Sequence, residues 1–336
     1  MKLKIGIIGL GVGEAHIKGY QSHPDCEVVA LCDFSDEKCS IAKKRYRGMT
    51  VTKNADDILR DPVIDVVSIA SYDNYHYEQI VKAINNRKHI FIEKPLCLYE
   101  KEAKHISVLL KKYSGLKMSS NLILRKCPRF RWLKEKIKRG GMGKIFHLEG
   151  DYNFGRLAKL TQGWRGAIKF YSMVYGGGVH LVDLLLWLTQ DRVVEVAAYG
   201  NNITTKGTQF HYNDSVTAIL KFKSGMTGKI SVHGGCVRPH FHGLSVYGTK
   251  ATFVNDLTYG LLYTSADSKL KAKKLYESYP GVEKGDLIYN FVDSIVNNAQ
   301  PEISAKDVFA SMSVCFAIEK AVSSNCRVKV QYINQG

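Results

Sequence analysis

The sequence predicts an α/β protein that combines an N-terminal domain built on a doubly wound parallel sheet with a C-terminal α+β domain that has a large, mainly antiparallel open sheet. A chain of 336 residues is longer than a single hydrophobic core usually serves. Short apolar runs alternate with helical patterns up to about residue 120, and apolar and polar residues alternate with a period of two after it. We therefore expect residues 1–122 and residues 123–336 to form the two domains.

The first domain is predicted from strands and helices that follow one another in turn. The expected strands are residues 3–8, 26–32, 66–70 and 89–92. The expected helices are residues 14–22, 36–46, 56–60, 77–85 and 101–112. Strands separated by single helices form βαβ units, and right-handed crossovers between them produce a doubly wound parallel sheet.

The second domain is predicted from two-residue periodicity and from turn residues. A helix at residues 129–139 ends at Gly140-Gly141, which is a helix-stop signal. Strands are expected at residues 145–152, 195–200, 216–222, 227–233 and 244–247. Turn residues such as Lys223-Ser224-Gly225 separate several of them, which favours an antiparallel sheet. Helices at residues 286–297 and 305–323 are expected to cover one face of that sheet.

Composition excludes several classes of protein. Hydrophobic residues make up 45% and charged residues 24% of the chain, so disorder is not expected. No apolar run reaches the roughly 20 residues that cross a bilayer, and the N-terminus lacks the apolar region of a secretory signal. The eight cysteines form no C-x-x-C pair and have no zinc-ligand spacing with a histidine. We expect reduced thiols, no metal site, no membrane association and a cytoplasmic protein.

The net charge of +17 is unusually high for a protein of this size. Such a charge can attract nucleic acid, anionic lipid or an anionic ligand, or it can serve solubility. Basic residues concentrate between Arg125 and Arg165, but no zinc finger, basic zipper or RNP signature accompanies them. We therefore do not expect nucleic acid as a partner, while an anionic ligand and a solubility role both stay open.

A glycine-rich turn connects the first predicted strand to the first predicted helix, where residues 7–14 read IIGLGVGE. Gly9 allows the tight turn, Gly11 lets the backbone approach a pyrophosphate, and the helix N-terminus offers free N–H groups and a positive dipole end. Glu14 occupies the third glycine position of the G-x-G-x-x-G pattern, so we assign the close packing of helix on strand to Gly13. In this context the turn predicts a dinucleotide-binding Rossmann domain.

An acidic residue after the second predicted strand selects the cofactor. Asp33 can accept hydrogen bonds from a ribose 2′-hydroxyl, and it repels a 2′-phosphate. Phe34 and Ser35 follow with no arginine to hold such a phosphate, although Lys38 is close enough in sequence to reach one. We therefore expect NAD rather than NADP.

Two further segments carry a family resemblance. Residues 92–96 read IEKPL at the end of a predicted strand, and residues 176–183 read GGGVHLVD before a predicted helix. Together with the glycine turn, they resemble the Gfo/Idh/MocA family, which includes glucose–fructose oxidoreductase and inositol dehydrogenase, and the resemblance covers nearly the whole chain. It implies that a hydride passes between a nicotinamide and a hydroxyl-bearing carbon of a sugar or cyclitol.

The resemblance also implies roles for individual residues. Lys94 matches the lysine that handles the hydroxyl proton, which requires its pKa to fall below the ordinary value of about 10.4. His180 matches a histidine near the substrate, and Asp183 follows three residues later on the same helix face, either to orient His180 or to touch the substrate. The residues expected at the cofactor are Gly9, Gly11, Val12, Gly13, Asp33, Phe34, Ser71, Asn74, His76, Glu93 and Lys94.

One position departs from the family pattern. Members commonly carry an aspartate four residues before the histidine, and this chain has Gly176 there. The usual Asp/His pair is therefore incomplete. Tyr171 or Tyr175 is a candidate to stand in for the aspartate.

Basic and aromatic residues at the start of the second domain indicate the kind of substrate. The residues in question are Arg125, Arg156, Trp164, Arg165 and Tyr175. If they line the substrate site, a carboxylate or phosphate on the substrate is expected, because arginine binds such groups through two parallel hydrogen bonds. The expected function is then that of an NAD-dependent dehydrogenase of a nucleotide-linked or acidic sugar. A solvated basic face is the alternative.

Two other functions fit the same fold. One is an NAD-using redox-neutral glycosidase, in which the hydride leaves and returns to one sugar. The other is a non-catalytic regulator that senses a sugar or NAD. The absent aspartate favours these two, whereas Lys94 and His180 argue against the regulator. Because one face of the second sheet needs a cover, we also expect a homodimer or homotetramer.

Overall fold

The computed structural model describes residues 2–333, and the chain divides into two compact units. The first unit contains residues 2–123, 283–309 and 333, and the second contains residues 124–282 and 310–332. The first unit thus includes a segment from late in the chain. The expectation that residues 1–122 serve the cofactor and residues 123–336 serve the substrate and oligomerisation stays a prediction.

In the first unit, strands and helices alternate as predicted. The strands are β1 (Leu3–Ile8), β2 (Cys26–Cys32), β3 (Thr50–Thr52), β4 (Val66–Ile69), β5 (His89–Ile92) and β6 (Met118–Ser120). The helices are α1 (Gly13–Gln21), α2 (Asp36–Arg45), α3 (Ala55–Leu59), α4 (His76–Asn85) and α5 (Glu100–Lys112). Strands β3 and β6 were not predicted, because three residues are too few to display a periodicity.

These six strands form one parallel sheet in the order β3-β2-β1-β4-β5-β6. All four residues of β4 are buried, as expected for a strand that is covered on both faces. The strand order reverses between β1 and β4, which is where open α/β sheets bind ligands beyond the carboxyl ends of their strands. This order confirms the predicted doubly wound domain.

Helix α2 illustrates how local sequence fixes the elements around that edge. Ser35 precedes the helix in an extended conformation, and its side chain accepts a hydrogen bond from the backbone N–H of Lys38. Acidic residues fill the first turn of α2 and basic residues its last turn, so the charges complement the helix dipole at both ends. The helix therefore begins three residues after Asp33 and holds Lys38 beside it.

The second unit has longer strands. Its strands are β7 (Ile145–Asn153), β8 (Val193–Asn201), β9 (Ser215–Phe222), β10 (Thr227–His233), β11 (Phe241–Gly248), β12 (Thr252–Asn255), β13 (Gly260–Tyr263), β14 (Lys273–Leu275) and β15 (Val328–Lys329). Its helices are α6 (Pro128–Lys138), α7 (Ala158–Thr161), α8 (Trp164–Ala167) and α9 (Val179–Thr189). Helix α10 (Ile288–Val296) belongs to the first unit, and α11 (Ala305–Ser324) begins in the first unit and continues in the second.

The strands of the second unit form one sheet in the order β14-β13-β12-β11-β7-β10-β9-β8-β15. Strands β7 and β10 pair in parallel, and the other neighbours pair antiparallel. Buried and exposed residues alternate along β9, so one face of the sheet is covered and the other is open. The covered face carries α9, whose Leu181 packs against Gly150 of β7. The predicted large, mainly antiparallel open sheet is confirmed.

Among residues 2–333, no helix has both the length and the apolar composition that a bilayer crossing requires.

Candidate functional site

The glycine turn between β1 and α1 has the geometry that a bound pyrophosphate needs. Gly9 has a φ of +91°, and a side chain there would collide with the backbone of Ala70 and Ser71. Gly11 faces open space, with only the Lys38 ammonium within 4 Å of where its Cβ would lie. Val12 is exposed beside it. The backbone of this turn is therefore accessible from outside, as a ligand that lies on the helix N-terminus requires.

Gly13 and Glu14 account for the irregular glycine pattern. A Cβ on Gly13 would lie 3.1 Å from Ile7 Cγ2 and 3.2 Å from Ala70 Cβ, so Gly13 permits the close packing of α1 on the sheet. The Glu14 carboxylate accepts hydrogen bonds from Arg45 at 2.7 Å and from the Tyr46 hydroxyl at 3.0 Å. The Glu14 carboxylate is thus bound by residues at the end of α2.

Asp33 is buried at the carboxyl end of β2 and is held by three donors. Its carboxylate accepts hydrogen bonds from the backbone N–H groups of Leu10 at 2.8 Å and Ser35 at 3.0 Å. The Lys38 ammonium donates to the same carboxylate at 3.2 Å. Lys38, the cation that could have held a 2′-phosphate, is therefore neutralised by Asp33. This arrangement fits NAD, because a fixed carboxylate accepts from ribose hydroxyls and repels a phosphate.

Phe34 and the loop after β4 complete this edge of the sheet. Phe34 is 61% exposed, and its ring centroid lies 5.5 Å from that of Tyr72. The Ser71 hydroxyl donates to Gln79 at 2.7 Å, and Asn74 is exposed. His76 is fully buried, and its two ring nitrogens lie 2.7 Å from the Pro95 carbonyl and 3.1 Å from the Ser71 carbonyl. His76 therefore ties the loop after β4 to the turn after β5.

Glu93 and Lys94 follow β5 and sit above a buried polar network. Glu93 Oε1 accepts a hydrogen bond from Asn121 at 2.7 Å and lies 3.3 Å from His16 Nε2 and 4.0 Å from the Lys284 ammonium. Burial alone would raise the pKa of Glu93, but Lys284, His16 and Lys94 together hold it well below its ordinary value. Glu93 is therefore an ionised anchor beside the half-buried Lys94.

Two members of this network, His16 and Lys284, were not predicted from the sequence. His16 lies on the buried face of α1, where its other ring nitrogen is 2.9 Å from the Ser68 hydroxyl. Lys284 comes from the late segment that belongs to the first unit, and its carbonyl accepts from Asn121 at 3.0 Å. A histidine among apolar helix residues was the available signal for His16, whereas nothing local marks Lys284.

In the second unit, the glycine run before α9 lies beneath two tyrosines. Residues Val174–Gly178 form a π-helical turn, and all of them are buried. A side chain on Gly176 would collide with the hydroxyl of Tyr171, and one on Gly177 would collide with the ring of Tyr152. The run therefore provides space for two phenols, of which Tyr171 was predicted as a stand-in for the absent aspartate and Tyr152 was not identified.

His180 belongs to a cluster of imidazoles that was not predicted from the sequence either. Its ring centroid lies 5.7 Å from that of His242, and His242 lies 5.2 Å from His240. The Tyr152 ring is 5.4 Å from His240 and 5.2 Å from His242. The His-Phe-His of residues 240–242, which leads into β11, was the signal for this pair, because residues two apart in extended chain share a face.

The Tyr279 hydroxyl contacts His242 at two points. The His242 backbone N–H donates to the Tyr279 hydroxyl at 2.7 Å, and that hydroxyl lies 3.0 Å from His242 Nδ1. The Tyr279 hydroxyl therefore holds the His242 ring in place from its Nδ1 side. Within the described residues, no group of histidine, cysteine and acidic side chains has the arrangement of a metal site.

Asp183 and Arg125 form a buried ion pair. Arg125 donates from Nε at 2.9 Å and from Nη2 at 2.6 Å to the two carboxylate oxygens of Asp183. The side chains are 5% and 1% exposed, and Ser311 also donates to the carboxylate at 3.2 Å. The prediction assigned Asp183 to His180 or the substrate and Arg125 to a substrate anion. The structure pairs these two residues with each other, and their roles toward His180 and the substrate stay predictions.

Two of the remaining predicted substrate residues, Trp164 and Arg165, lie on α8. The Arg165 guanidinium stacks 4.6 Å from the Trp164 ring centroid and donates from Nε to the Tyr171 hydroxyl at 3.1 Å. Arg156 is exposed, 5.9 Å from the ring of Phe154. Tyr175 is buried among aromatic rings, 5.4 Å from Phe316 and 5.9 Å from Phe170.

Comparison with family models identifies both parts of the chain. Residues 3–120 match the family described as "Oxidoreductase family, NAD-binding Rossmann fold". Residues 130–254 match the GFO/IDH/MocA C-terminal domain. The two models together span most of the chain, and they agree with the resemblance and with the cofactor that the sequence predicted.

Comparison with individual proteins gives distant relatives that are similar over their full length. A myo-inositol 2-dehydrogenase from Thermotoga maritima is 24% identical, with 98% of this chain and 99% of the relative covered. A 1,5-anhydro-D-fructose reductase from Ensifer adhaerens is 23% identical, with 91% of each chain covered. A structure of levoglucosan dehydrogenase in complex with NADH and L-sorbose has a TM-score of 0.87 at 20% identity, covering 99% of this chain and 100% of that one. At this identity the structural likeness supports the fold.

Proposed function

The chain belongs to the Gfo/Idh/MocA oxidoreductase family and is an NAD-binding oxidoreductase, and from this premise we propose that it oxidises a hydroxyl-bearing carbon of a sugar or cyclitol. The main support for the proposal is the set of residues at one edge of the parallel sheet. An accessible glycine turn, a fixed Asp33 and Lys94 all follow the carboxyl ends of strands of this one sheet. The sugar and inositol names of the relatives support the same class of substrate.

We assign the cofactor to the residues at this edge. The accessible backbone of the glycine turn before α1 suits a pyrophosphate, Asp33 suits ribose hydroxyls, and Phe34 offers an exposed ring. Bound NAD+ supplies the hydride acceptor. The remaining cofactor contacts are proposed for Ser71, Asn74, Glu93 and Lys94, while His76 supports the loop through its two backbone contacts.

In this proposal Lys94 takes the proton from the substrate hydroxyl. The network below Glu93 supports the role, because it fixes the backbone from which the half-buried Lys94 extends. Within the second unit, His180, His242 and Tyr152 lie together and offer polar groups that suit recognition of sugar hydroxyls. Asp183 is proposed to support α9 through its ion pair with Arg125.

We propose further that the sugar carries an anionic group, either a carboxylate or the phosphates of a linked nucleotide. Residues 152–182 contain Arg156, Lys159, Arg165 and Lys169 and no aspartate or glutamate. Such a segment attracts an anion to its vicinity.

A homodimer or homotetramer is proposed as well. The open face of the second sheet exposes Tyr199 and Ile219 on neighbouring strands, which a second copy would cover. Light scattering behind size exclusion checks this, and a purely monomeric protein contradicts it. A cytoplasmic location stays a prediction.

The experiment follows NADH absorbance with purified protein and a panel of sugars, in both reaction directions. The panel contains myo-inositol, levoglucosan, D-glucose, D-glucuronate and a nucleotide sugar. Lys94→Met is expected to lower turnover by about 10²–10⁴-fold without loss of NAD binding, which is the usual contribution of a general base. Lys43→Met, on the exposed face of α2, is the matched control. Product without net NADH would identify the redox-neutral glycosidase, and NAD binding without turnover of any sugar would identify the regulator.

A further inference from the structure

We propose that Arg165 is a specificity-determining residue and that it binds the carboxylate of an acidic sugar of the uronic acid type. This inference rests on the proposed function, since it names the chemical class of the same substrate. Arg165 is set apart from the other cations of residues 152–182 because its guanidinium is fixed by two neighbours, Trp164 and Tyr171.

The way in which the guanidinium is held leaves one edge for a ligand. Trp164 covers one face of the guanidinium, and the Tyr171 hydroxyl accepts the Nε hydrogen. Within residues 2–333, the two terminal amino groups of Arg165 make no hydrogen bond and no ion pair. The edge formed by these two amino groups donates two parallel hydrogen bonds, which is the geometry that a carboxylate accepts.

Gly176 is what makes this arrangement possible. Tyr171 is buried, with its ring 5.7 Å from Phe210 and 6.0 Å from Trp164. Its hydroxyl fills the space that a side chain at position 176 would take. An acidic side chain at 176 would therefore displace the phenol that holds Arg165, and it would also place a carboxylate where it could neutralise the guanidinium. With glycine at 176, the positive charge of Arg165 is kept for a ligand.

The charges around Arg165 favour one carboxylate. The nearest acidic residues along the chain are Asp151 and Asp183. Asp151 accepts from Lys229, and Asp183 is paired with Arg125. Arg165 is half-buried and forms no ion pair within residues 2–333. Such a guanidinium gains most from an anion that brings one negative charge and two oxygens. A diphosphate would need additional fixed cations, and Arg156, Lys159 and Lys169 are exposed.

Tryptophan fluorescence tests the proposal without any need for turnover. The chain has three tryptophans, and Trp164 lies on Arg165, so a ligand at Arg165 is expected to change its emission. The full-length protein with NAD+ is titrated with D-glucuronate, D-glucose, D-glucose 6-phosphate and UDP. Loss of the emission change in Trp164→Phe assigns that change to Trp164. Arg165→Met removes the guanidinium, Arg165→Lys keeps the charge without the fork, and Arg192→Met removes a matched guanidinium that lies 5.1 Å from the Tyr332 ring elsewhere in the unit.

We expect D-glucuronate to bind at least tenfold more tightly than D-glucose, and Arg165→Met to weaken glucuronate binding about 10- to 100-fold, as the loss of a charge-assisted bidentate pair does. Arg165→Lys is expected to lose most of the preference, and Arg192→Met to keep it. Equal affinity for the two sugars, a preference that survives in Arg165→Met, or tighter binding of either phosphate probe than of glucuronate overturns the proposal. If Arg165→Met fails to fold, Arg165→Lys decides the test, because a glucuronate preference that survives in this variant overturns the proposal. The absence of NADH formation with every sugar would refute the dehydrogenase while leaving the glucuronate preference measurable.

Discussion

The buried ion pair between Arg125 and Asp183 makes a prediction that separates a structural role from a catalytic one. Asp183→Leu leaves a guanidinium that is 5% exposed without the two oxygens that now accept from it at 2.9 and 2.6 Å. Removing one partner of such a pair costs about 3–5 kcal/mol of unfolding free energy, because the remaining charge stays buried. Replacing both partners by apolar residues is often close to neutral. The double variant Arg125→Met/Asp183→Leu is therefore expected to recover most of the loss.

Urea unfolding measures these changes. Trp187 lies in α9 one turn after Asp183 and reports on the same helix by fluorescence. Ser311→Ala is the matched control, since it removes only the 3.2 Å hydrogen bond to the carboxylate and is expected to cost about 0.5–1.5 kcal/mol. A structural role for Asp183 is refuted if Asp183→Leu is as stable as the wild type but inactive, or if the double variant is no more stable than the single one.

Four further predictions follow from the described contacts. Gly176→Ala is expected to lower the unfolding free energy by about 1–3 kcal/mol, because the added methyl group collides with the Tyr171 hydroxyl. Gly115→Ala is the control and is expected to be neutral in the same thermal unfolding assay, because no described atom lies within 4 Å of the added methyl group. Asp33→Ser is expected to raise the ratio of kcat/KM for NADP to kcat/KM for NAD by at least about tenfold, because it removes the repulsive carboxylate and releases Lys38. An unchanged ratio would contradict the role of Asp33 in cofactor choice. The pKa of Glu93 is lowered in the folded state, so ionised Glu93 stabilises the fold above pH 4.5, and this stabilisation is lost as the pH falls toward the lowered pKa. Glu93→Gln should therefore reduce the loss of unfolding free energy at acid pH, which urea titrations at several pH values measure. Burial raises the pKa of Glu319, so the unfolding free energy should fall as the pH rises from 4.5 through the raised pKa of the folded state. Glu319→Gln should remove that fall, and a variant with the pH profile of the wild type would contradict this prediction.

The first domain could be predicted in detail because its signals are local. The strands at residues 3–8, 26–32 and 89–92 have the predicted bounds, since buried parallel strands are short continuous apolar runs between helices. The glycine turn and Asp33 are also local, because a strand, a turn and a helix in sequence bring them to one edge of the sheet.

The side-chain partners could not be predicted because they are distant in the chain. His16 and Glu93 are 77 residues apart, and Arg125 and Asp183 are 58 residues apart. No periodicity of either segment encodes which residue of the other it meets. Arg125 and Arg165 looked alike in the sequence, yet one neutralises an internal carboxylate and the other stacks on an indole. Only the folded chain distinguishes their roles.

The late segment that completes the first unit has a consequence for exchanging parts between relatives. Phe291 of α10 packs 5.5 Å from Phe91 of β5, Gly285 lies against Gly19 of α1, and His23 is 3.0 Å from Asp293. A polypeptide that stops near residue 122 would lack these partners and the Lys284 charge beside Glu93. A chimera that inherits cofactor preference from a relative must therefore import two stretches of sequence together, and a fragment cut at the obvious boundary is expected to be poorly folded.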